Sequence, residues 1–336
     1  MKIVKPGLQT TVQDAGRYGY QRYGVIVSGA MDQLAYRIGN LLVGNSNNEA
    51  AIEMTMKGPE IKLQEDTVIT MTGGDFSPKI NGEPVKMWRP IYVKAGTVLK
   101  FGACTAGCRS YLAVAGGIDV PVIMNSRSTY IRAEIGGFEG RALDAGDCLK
   151  IGERSEKANH ILQQLSDPDQ SYVESDWFSA SEWSTEAEKH DILRVIPGRE
   201  WDNFTKETQA KFTSTEFELT PQSDRMGFRF KGERLELSDQ VEMISEAVTF
   251  GTIQVPSEGN LIALLADRQT TGGYPKIAQI ASVDYSKVAQ LKPGEKVRFK
   301  LITHPEAETL YLEQERHLQQ LEQGISLKLR EGGLNQ

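Results

Sequence analysis

The sequence predicts a mainly β protein with two domains, and three observations support this prediction. The chain has 336 residues, 39% of them hydrophobic, which is long for one core and sufficient for two. Short β-prone runs such as Val68–Met71 and Ile91–Val93 alternate with Gly-containing turns. A stretch rich in Ser, Glu, Asp and Gln then interrupts the pattern over 153–190.

The domain boundaries are predicted from these changes in composition. We expect an N-terminal β domain over 1–152, a polar linker over 153–190, a second β domain over 191–303, and a C-terminal helix and tail over 304–336. Many short strands with frequent turns are typical of a barrel or sandwich. The linker is expected to hold a short helix near Ile161–Leu165 and to pack through Trp177, Phe178 and Trp183.

One amphipathic helix is predicted in the first domain. Its apolar residues recur at helical spacing and are Leu34, Ile38, Leu41 and Leu42. Ser28 or Asp32 can cap its start, and Gly44 stands where a left-handed C-terminal cap belongs.

Two hairpins and a C-terminal helix complete the predicted elements. Asn81–Gly82 is a strong hairpin turn, and the apolar run Leu261–Leu265 should pair with Thr252–Val255 as a central strand. A polar helix should run from Pro305 to Gly324, followed by an alternating tail.

Charge and composition exclude several classes of function. The net charge is −7 and no Lys/Arg-rich run occurs, so a nucleic-acid partner is not expected. No apolar signal region and no run of 18 apolar residues occurs, so we expect a cytoplasmic protein without a membrane partner. Three cysteines and four scattered histidines predict neither a disulfide scaffold nor a metal site.

The first candidate site is a polar segment near the N-terminus. Gln13, Asp14 and Arg17 lie beside Gly16, and Ser28 begins a second Gly-containing turn before the helix. Arginine binds carboxylate or phosphate by two parallel hydrogen bonds, and a carboxylate can transfer protons or orient water. A capped, salt-bridged loop explains the same residues equally well.

Two further candidate segments lie in the second domain. Arg225 follows Asp224 in a turn that a local ion pair would also explain. Asp267 directly follows the predicted central strand, where it could act as a general base, and the loop after it is suited to holding an anion. The predicted binding residues of that loop are Arg268, Gln269, Thr270, Thr271, Gly272, Gly273 and Tyr274. A tight polar turn between core strands is the alternative.

These segments together resemble the biotin-dependent carboxyltransferase family, also called allophanate hydrolase subunit 2, over roughly residues 3–300. The residues that carry the resemblance are Gln13–Arg17, Ser28–Asp32, Leu42–Asn45, Ser223–Gly227, Gly251–Pro256 and Asp267–Pro275. The resemblance implies two cyclophilin-like β-barrel domains with a few short helices. It also implies catalytic roles for Asp267, Asp14 and Arg225.

The resemblance further implies one component of an ATP-dependent amidohydrolase that cleaves the lactam 5-oxo-L-proline to L-glutamate, a component that is inactive alone. Its implied partners are a KipI-like protein and a LamB/YcsF-like protein, with ATP used by the complex. No Met-Lys-Met biotin acceptor occurs, so covalently attached biotin is not expected. Two alternatives stay open: a regulatory protein that antagonises a KipI-like inhibitor of a sporulation histidine kinase, and a carboxyltransferase component acting on urea or a related amide.

Overall fold

The computed structural model describes residues 1–179, 191–239 and 243–333, which divide into two compact units. Of these, unit 1 contains 1–17, 32–179 and 316–333, and unit 2 contains 18–31, 191–239 and 243–315. The predicted mainly β fold with a few helices is confirmed.

Unit 1 is built around two antiparallel sheets. Its strands are β1 (Lys2–Lys5), β2 (Gln9–Gln13), β3 (Ala51–Thr55), β4 (Glu60–Lys62), β5 (Thr67–Asp75), β6 (Lys79–Ile80), β7 (Glu83–Pro84), β8 (Ile91–Val93), β9 (Val98–Lys100), β10 (Ala106–Val114), β11 (Ile118–Asp119), β12 (Lys150–Ile151) and β13 (Tyr172–Glu174). One sheet has the order β1-β4-β9-β6-β7, and the other has the order β13-β8-β5-β10-β3-β2. Strands β11 and β12 form a separate pair.

The core of unit 1 lies between these two sheets. Ile61 and Leu99 of the first sheet and Ile69 and Leu112 of the second belong to one cluster and are fully buried. Burial of each such side chain stabilises the fold by about 1.5–3 kcal/mol.

The predicted first helix is confirmed as α1 (Gln33–Leu42). Asp32 caps it, because its carboxylate accepts a hydrogen bond of 3.0 Å from the backbone nitrogen of Ala35. Gly44 has φ of 77° and ends the helix as predicted. The hydroxyl of Thr72 on β5 donates to the carbonyl of Ala35, which fixes α1 on the sheet.

The predicted linker begins at residue 153, but in the structure residues 153–179 are part of unit 1 and do not form a separate linker. It contains α2 (Glu156–Leu165), which confirms the expected helix, and β13 adds to the sheet edge by pairing Tyr172 with Val93. Phe178 is exposed, with the guanidinium of Arg89 lying 5.1 Å from its ring centre. Trp183 lies outside the described residues.

Unit 2 contains a closed barrel. Its elements are β14 (Ile192–Pro197), α3 (Lys206–Ser214), β15 (Phe217–Leu219), β16 (Gly227–Lys231), β17 (Glu246–Ala247), β18 (Thr252–Gln254), β19 (Leu261–Leu264), β20 (Thr271–Gly272), β21 (Lys276–Ile280), α4 (Tyr285–Ala289) and β22 (Lys296–Leu301). The barrel order is β14-β21-β18-β19-β16-β15-β22, and parallel pairing of β14 with β22 closes it. Strands β17 and β20 form a separate two-stranded ribbon.

Aromatic packing fills the barrel on the side of α3. Phe212 of α3 stacks on Phe299 of β22 with ring centres 4.7 Å apart, and Phe217 and Phe230 lie against Phe299 at 5.5 and 6.2 Å. The predicted hairpin of β18 and β19 is confirmed, and β19 is central because it also pairs with β16.

The predicted end of the last helix is wrong. Helix α5 (His304–Gly333) continues through Gly324 and through the expected alternating tail. Leu318, Ile325 and Leu329 share one helical face and are only 6%, 3% and 4% exposed, so burial of this face stabilises the longer helix. In the described part of the chain, no helix has the length and apolar character needed to cross a bilayer.

Candidate functional site

Asp14 lies at the end of β2 in unit 1 and anchors a distant loop. Its carboxylate accepts hydrogen bonds from the Ser126 hydroxyl at 2.8 Å and the Arg127 backbone nitrogen at 2.5 Å, and also from the Ser128 hydroxyl. The backbone nitrogen of Gly16 adds a fourth bond at 2.9 Å. The predicted catalytic role of Asp14 stays a prediction, since these contacts are those of a buried positioning group.

Arg17 holds the same loop from the other side. Its guanidinium donates to the carbonyls of Ile123 and Ser128 at 3.0 and 2.8 Å. The residue is fully buried, so this guanidinium is not exposed to a ligand from solvent. Asp14 and Arg17, which are close in sequence, therefore both hold the segment 123–128.

The loop held in this way, 123–140, has unusual backbone conformation. Met124, Asn125, Glu134 and Glu139 have positive φ, although none is glycine. Gly137 also has positive φ, and a methyl group there would overlap the Thr129 hydroxyl. Such strain persists only where surrounding contacts enforce it, and it is common at functional sites.

Gln13 and Arg127 present polar atoms that the described residues leave without a hydrogen-bond partner. They are the side-chain oxygen of Gln13 and the Nε of Arg127, both inaccessible to solvent. Burial raises the pKa of Tyr36, and Asp14 and Glu49 add to the rise, whereas the charge of Arg127 opposes it. Arg127 was not among the site residues predicted from the sequence, because its environment depends on its contact with Asp14, 113 residues away.

In unit 2, Arg225 and Asp267 form a buried ion pair. The Nε and Nη2 atoms of Arg225 donate to the two carboxylate oxygens of Asp267 at 2.9 and 3.1 Å. Their side chains are 7% and 9% exposed. Because both oxygens of Asp267 are occupied, Asp267 is held as an ion-pair partner; its predicted role as a base stays a prediction.

Ser28 and Gly29 join this ion pair. The backbone nitrogen of Ser28 donates to the carbonyl of Ala266, and Nη2 of Arg225 donates to the carbonyl of Gly29 at 2.7 Å. Ser28 has φ of 56°, and its hydroxyl is buried with no hydrogen-bond partner in the described residues. A strained residue with an unpartnered hydroxyl therefore lies beside the Asp267 loop.

Arg268 is a cation of this site without an acidic partner among the described residues. Its Nη1 and Nε donate to the carbonyls of Leu265 and Val248 at 3.1 and 3.5 Å, and it makes no ion pair within 4 Å in that part of the chain. Burial lowers its pKa, opposed by Tyr18, Tyr285 and Asp267. Arginine stays protonated at neutral pH, so this half-buried charge favours a bound anion.

A tyrosine and a glutamine support the region around Arg268. The Tyr285 hydroxyl donates to the carbonyl of Phe250 at 2.8 Å and accepts from the side-chain nitrogen of Gln279 at 3.2 Å. Burial raises the pKa of Tyr285 to about 12, so it remains a neutral donor at physiological pH.

The other predicted loop residues differ in accessibility. Gln269, Thr271 and Tyr274 are exposed, whereas Thr270 uses its carbonyl to accept from the backbone nitrogen of Val248. Gly272 and Gly273 are partly buried, and Gly272 packs directly on Gln254. The exposed side chains are available to a ligand, whereas the two glycines allow close packing.

The structure thus divides the first predicted segment. Gln13, Asp14 and Arg17 belong to unit 1 and bind its 123–129 loop, whereas Ser28 belongs to unit 2 and contacts the Asp267 loop. No group of three His, Cys, Asp or Glu side chains in the described ranges is arranged to hold a metal.

Known proteins resemble this chain in sequence and in fold. Residues 23–301 match the family described as carboxyltransferase domain, subdomain A and B. The chain is 37% identical to the C component of 5-oxoprolinase from Haemophilus influenzae, over 95% of this chain and 97% of the relative. It is 36% identical to the C component of 5-oxoprolinase from Escherichia coli, over 96% and 97%.

A solved structure is also similar. The crystal structure of the K. lactis urea amidolyase superposes with a TM-score of 0.84 at 29% identity, and the match covers 95% of this chain but 20% of that one.

Proposed function

Because the chain belongs to the carboxyltransferase domain family, subdomains A and B, we propose that it is the C component of an ATP-dependent 5-oxoprolinase. The complex would open 5-oxo-L-proline to L-glutamate in the cytoplasm, and this chain would be inactive alone. The active enzyme would therefore be a complex of this chain with other proteins.

The observation that carries this proposal is the share of each relative's length that the match spans. The match to the 5-oxoprolinase component spans 97% of the Haemophilus relative, whereas the match to the K. lactis urea amidolyase spans 20% of that chain. The match therefore spans nearly the full length of the relative in one case and a minor part of a larger enzyme in the other.

The geometry in unit 2 supports an acidic ligand. Arg268 is a half-buried cation with no ion-pair partner in the described residues, and its Nη1 and Nε are already held by backbone carbonyls. The guanidinium is thus oriented before a ligand arrives, which lowers the entropic cost of binding. The carboxylate of 5-oxo-L-proline, or a phosphoryl group, has the charge and acceptor geometry for it.

ATP is proposed as a co-substrate because a lactam carbonyl is a poor electrophile. Transfer of the γ-phosphoryl group to the lactam oxygen releases ADP and makes that carbon reactive toward water. One water then opens the C–N bond to give an acyl phosphate, and a second water releases phosphate and L-glutamate. We assign to this chain the holding of the substrate, and the binding of ATP to the assembled complex.

The proposed partners are a KipI-like protein and a LamB/YcsF-like protein. The test is to measure L-glutamate and ADP release from 5-oxo-L-proline and ATP with all three proteins, leaving out one at a time. We expect both products in equal amounts only when all three are present. Equal turnover by the two partners without this chain would contradict the proposal and favour a regulatory role.

The similarity to the K. lactis urea amidolyase supports a second candidate, a carboxyltransferase acting on urea or a related amide. The same assembly separates the two candidates if urea and N-carboxybiotin replace 5-oxo-L-proline. We expect no urea-dependent conversion of carboxybiotin to biotin; such conversion, without 5-oxo-L-proline turnover, would favour the carboxyltransferase.

A further inference from the structure

Two buried nitrogen donors lie next to each other outside the core of the barrel in unit 2. The side-chain nitrogen of Gln254 and the ammonium of Lys276 are both inaccessible to solvent, and neither has a hydrogen-bond partner in the described residues. The residues are only 4% and 8% exposed. We propose that these two donors form a binding site for the carbonyl oxygen of an amide or lactam.

Register places the two side chains on one face. Gln254 of β18 is paired with Lys276 of β21 directly after a β-bulge that follows Ile253, and opposed residues in an antiparallel pair project to the same side. The neighbours of Gln254, Ile253 and Val255, belong to the barrel core, so Gln254 points away from that core. Opposed residues of an antiparallel pair have neighbouring side chains, so the two donors can converge on a single acceptor.

The β17–β20 ribbon covers this pair. A methyl group on Gly272 of β20 would overlap the Gln254 side-chain nitrogen, and the carboxylate of Glu246 on β17 lies 3.7 Å from the Lys276 ammonium. Only glycine allows the backbone of the Asp267–Pro275 loop to approach Gln254 so closely. The ribbon is held by two residue pairs, so its local opening is a short route for a ligand.

Buried donors without partners are costly. Each unpaired buried polar group destabilises a fold by about 1–3 kcal/mol, and native proteins contain few of them. The side-chain nitrogen of Gln254 has no acceptor in the described residues, and the Lys276 ammonium has ion-pair contacts with two carboxylates but no hydrogen bond. Two buried donors at opposed positions of neighbouring strands indicate that an acceptor belongs between them.

The charges around Lys276 favour a neutral acceptor over an anion. The Lys276 ammonium lies 3.8 Å from the carboxylate of Glu200 and 3.7 Å from that of Glu246, and Arg199 pairs with Glu246 at 2.6 Å. The two cations and two carboxylates balance. An incoming carboxylate would be repelled by both glutamates, whereas a carbonyl oxygen accepts from the two donors without adding charge.

This inference deepens the proposed function and rests on it for the identity of the natural ligand, the lactam carbonyl of 5-oxo-L-proline. Two fixed donors would hold the lactam oxygen, and with it the ring, in one orientation before phosphoryl transfer, and one of the two hydrogen bonds would be released as a lone pair of that oxygen attacks the γ-phosphorus. Gln254 and Lys276 would therefore determine the preference for a carbonyl-containing ring.

The test compares ligand binding to the full chain, alone and with its partners, in Lys276→Met and Gln254→Met variants. Lys300→Met, which removes an exposed lysine of β22, is the matched control. The probes are 5-oxo-L-proline, 2-pyrrolidinone, which keeps the carbonyl but lacks the carboxylate, and L-proline, which keeps the carboxylate but lacks the carbonyl. Calorimetry gives affinity, and thermal unfolding gives the stability of each free variant.

We expect each variant to bind both lactams at least about tenfold more weakly than the wild-type chain, with Lys300→Met unchanged. L-proline should bind weakly and equally to all four proteins. Free Gln254→Met should be as stable as the wild type or more stable, because an unsatisfied buried amide is removed.

Two results would overturn the inference: lactam affinities that do not change in either variant, or a ligand-bound structure in which the two donors contact water only. Turnover by the complex is a separate result. Lactam binding that depends on Lys276 without turnover would leave the site standing and reject the enzyme, whereas normal turnover by both variants would reject the site and keep the enzyme.

Discussion

Asp14 and Asp267 are both buried carboxylates, but their partners differ. Asp14 accepts from two hydroxyls and two backbone nitrogens, whereas Asp267 accepts from one guanidinium. Asp14 therefore orders a loop through neutral donors, and Asp267 balances a buried charge. The same residue type thus has two different structural roles in the two units.

The anchor role of Asp14 predicts a loss of stability for Asp14→Asn. The amide nitrogen of Asn would face donors rather than acceptors, so we expect the free energy of unfolding to fall by about 3 kcal/mol. Chemical denaturation measures this change. Asp119→Asn, at an exposed position of β11, is the control and should be neutral; equal stability of the two variants would contradict the anchor role.

The buried pair predicts non-additive energetics. Removal of one partner, in Arg225→Met or Asp267→Leu, leaves an unpaired buried charge and should lower the free energy of unfolding by about 3–5 kcal/mol. The double variant should recover much of that loss, because no buried charge remains. Denaturation of the four proteins gives the coupling energy, and additive losses would show that the pair is not coupled.

At the residue scale, the sequence did not predict the partners of the charged residues in the candidate segments. Asp224 adjacent to Arg225 suggested a local ion pair, but Asp224 instead accepts from the backbone nitrogens of Met226 and Gly227. Arg225 pairs with Asp267, 42 residues away. Contacts between residues so distant in sequence depend on strand order, which no local pattern encodes.

At the scale of elements, the 123–140 loop illustrates how strain is enforced by packing. Gly137→Ala should lower the free energy of unfolding in two ways. The positive φ at this position costs a residue with a side chain about 1–2 kcal/mol. Overlap of the new methyl group with the Thr129 hydroxyl costs roughly a further 1–3 kcal/mol. Gly146→Ala separates these effects, because Gly146 has positive φ but open space around it. Equal losses in the two variants, measured by denaturation, would argue against overlap.

The C-terminal helix gives the opposite prediction. Gly324 lies within α5, exposed and with open space around it, so a methyl group there has no steric cost. Gly324→Ala should raise the stability of unit 1 by up to about 1 kcal/mol through higher helix propensity. Thermal unfolding and helical circular dichroism measure this, and a loss of stability would contradict a continuous helix at this position.

Helix ends and turns were predicted correctly where neighbouring residues in the sequence determine them. The Asp32 cap and Gly44 end of α1, and the Asn81–Gly82 turn between β6 and β7, were all recognised from neighbouring residues. The end of α5 was missed because Gly324 was taken as a stop. The buried face that overrides this stop is visible only once Ile325 and Leu329 have packed.

At the scale of the whole molecule, composition and turn pattern predicted two β-rich halves, and the structure has two compact units. Which residues belong to each unit was not predictable from the sequence, because residues 18–31 belong to unit 2 although they lie in the N-terminal part of the chain. The segment joins unit 2 through the hydrogen bonds of Ser28 with Ala266 and of Arg225 with Gly29, and through burial of Met31 in the barrel core, rather than through a periodic pattern.

The proposed role of the Arg268 loop is to hold an acidic substrate in an assembled lactam-opening enzyme. The most direct measurement is kcat/KM for 5-oxo-L-proline in complexes that contain the wild-type chain, Arg268→Met, or Arg229→Met, an exposed arginine of β16 that serves as the control. Loss of a charge-assisted contact should lower kcat/KM at least about tenfold for Arg268→Met, with assembly and the control unchanged. Full activity of an assembled Arg268→Met complex would show that Arg268 does not hold the substrate.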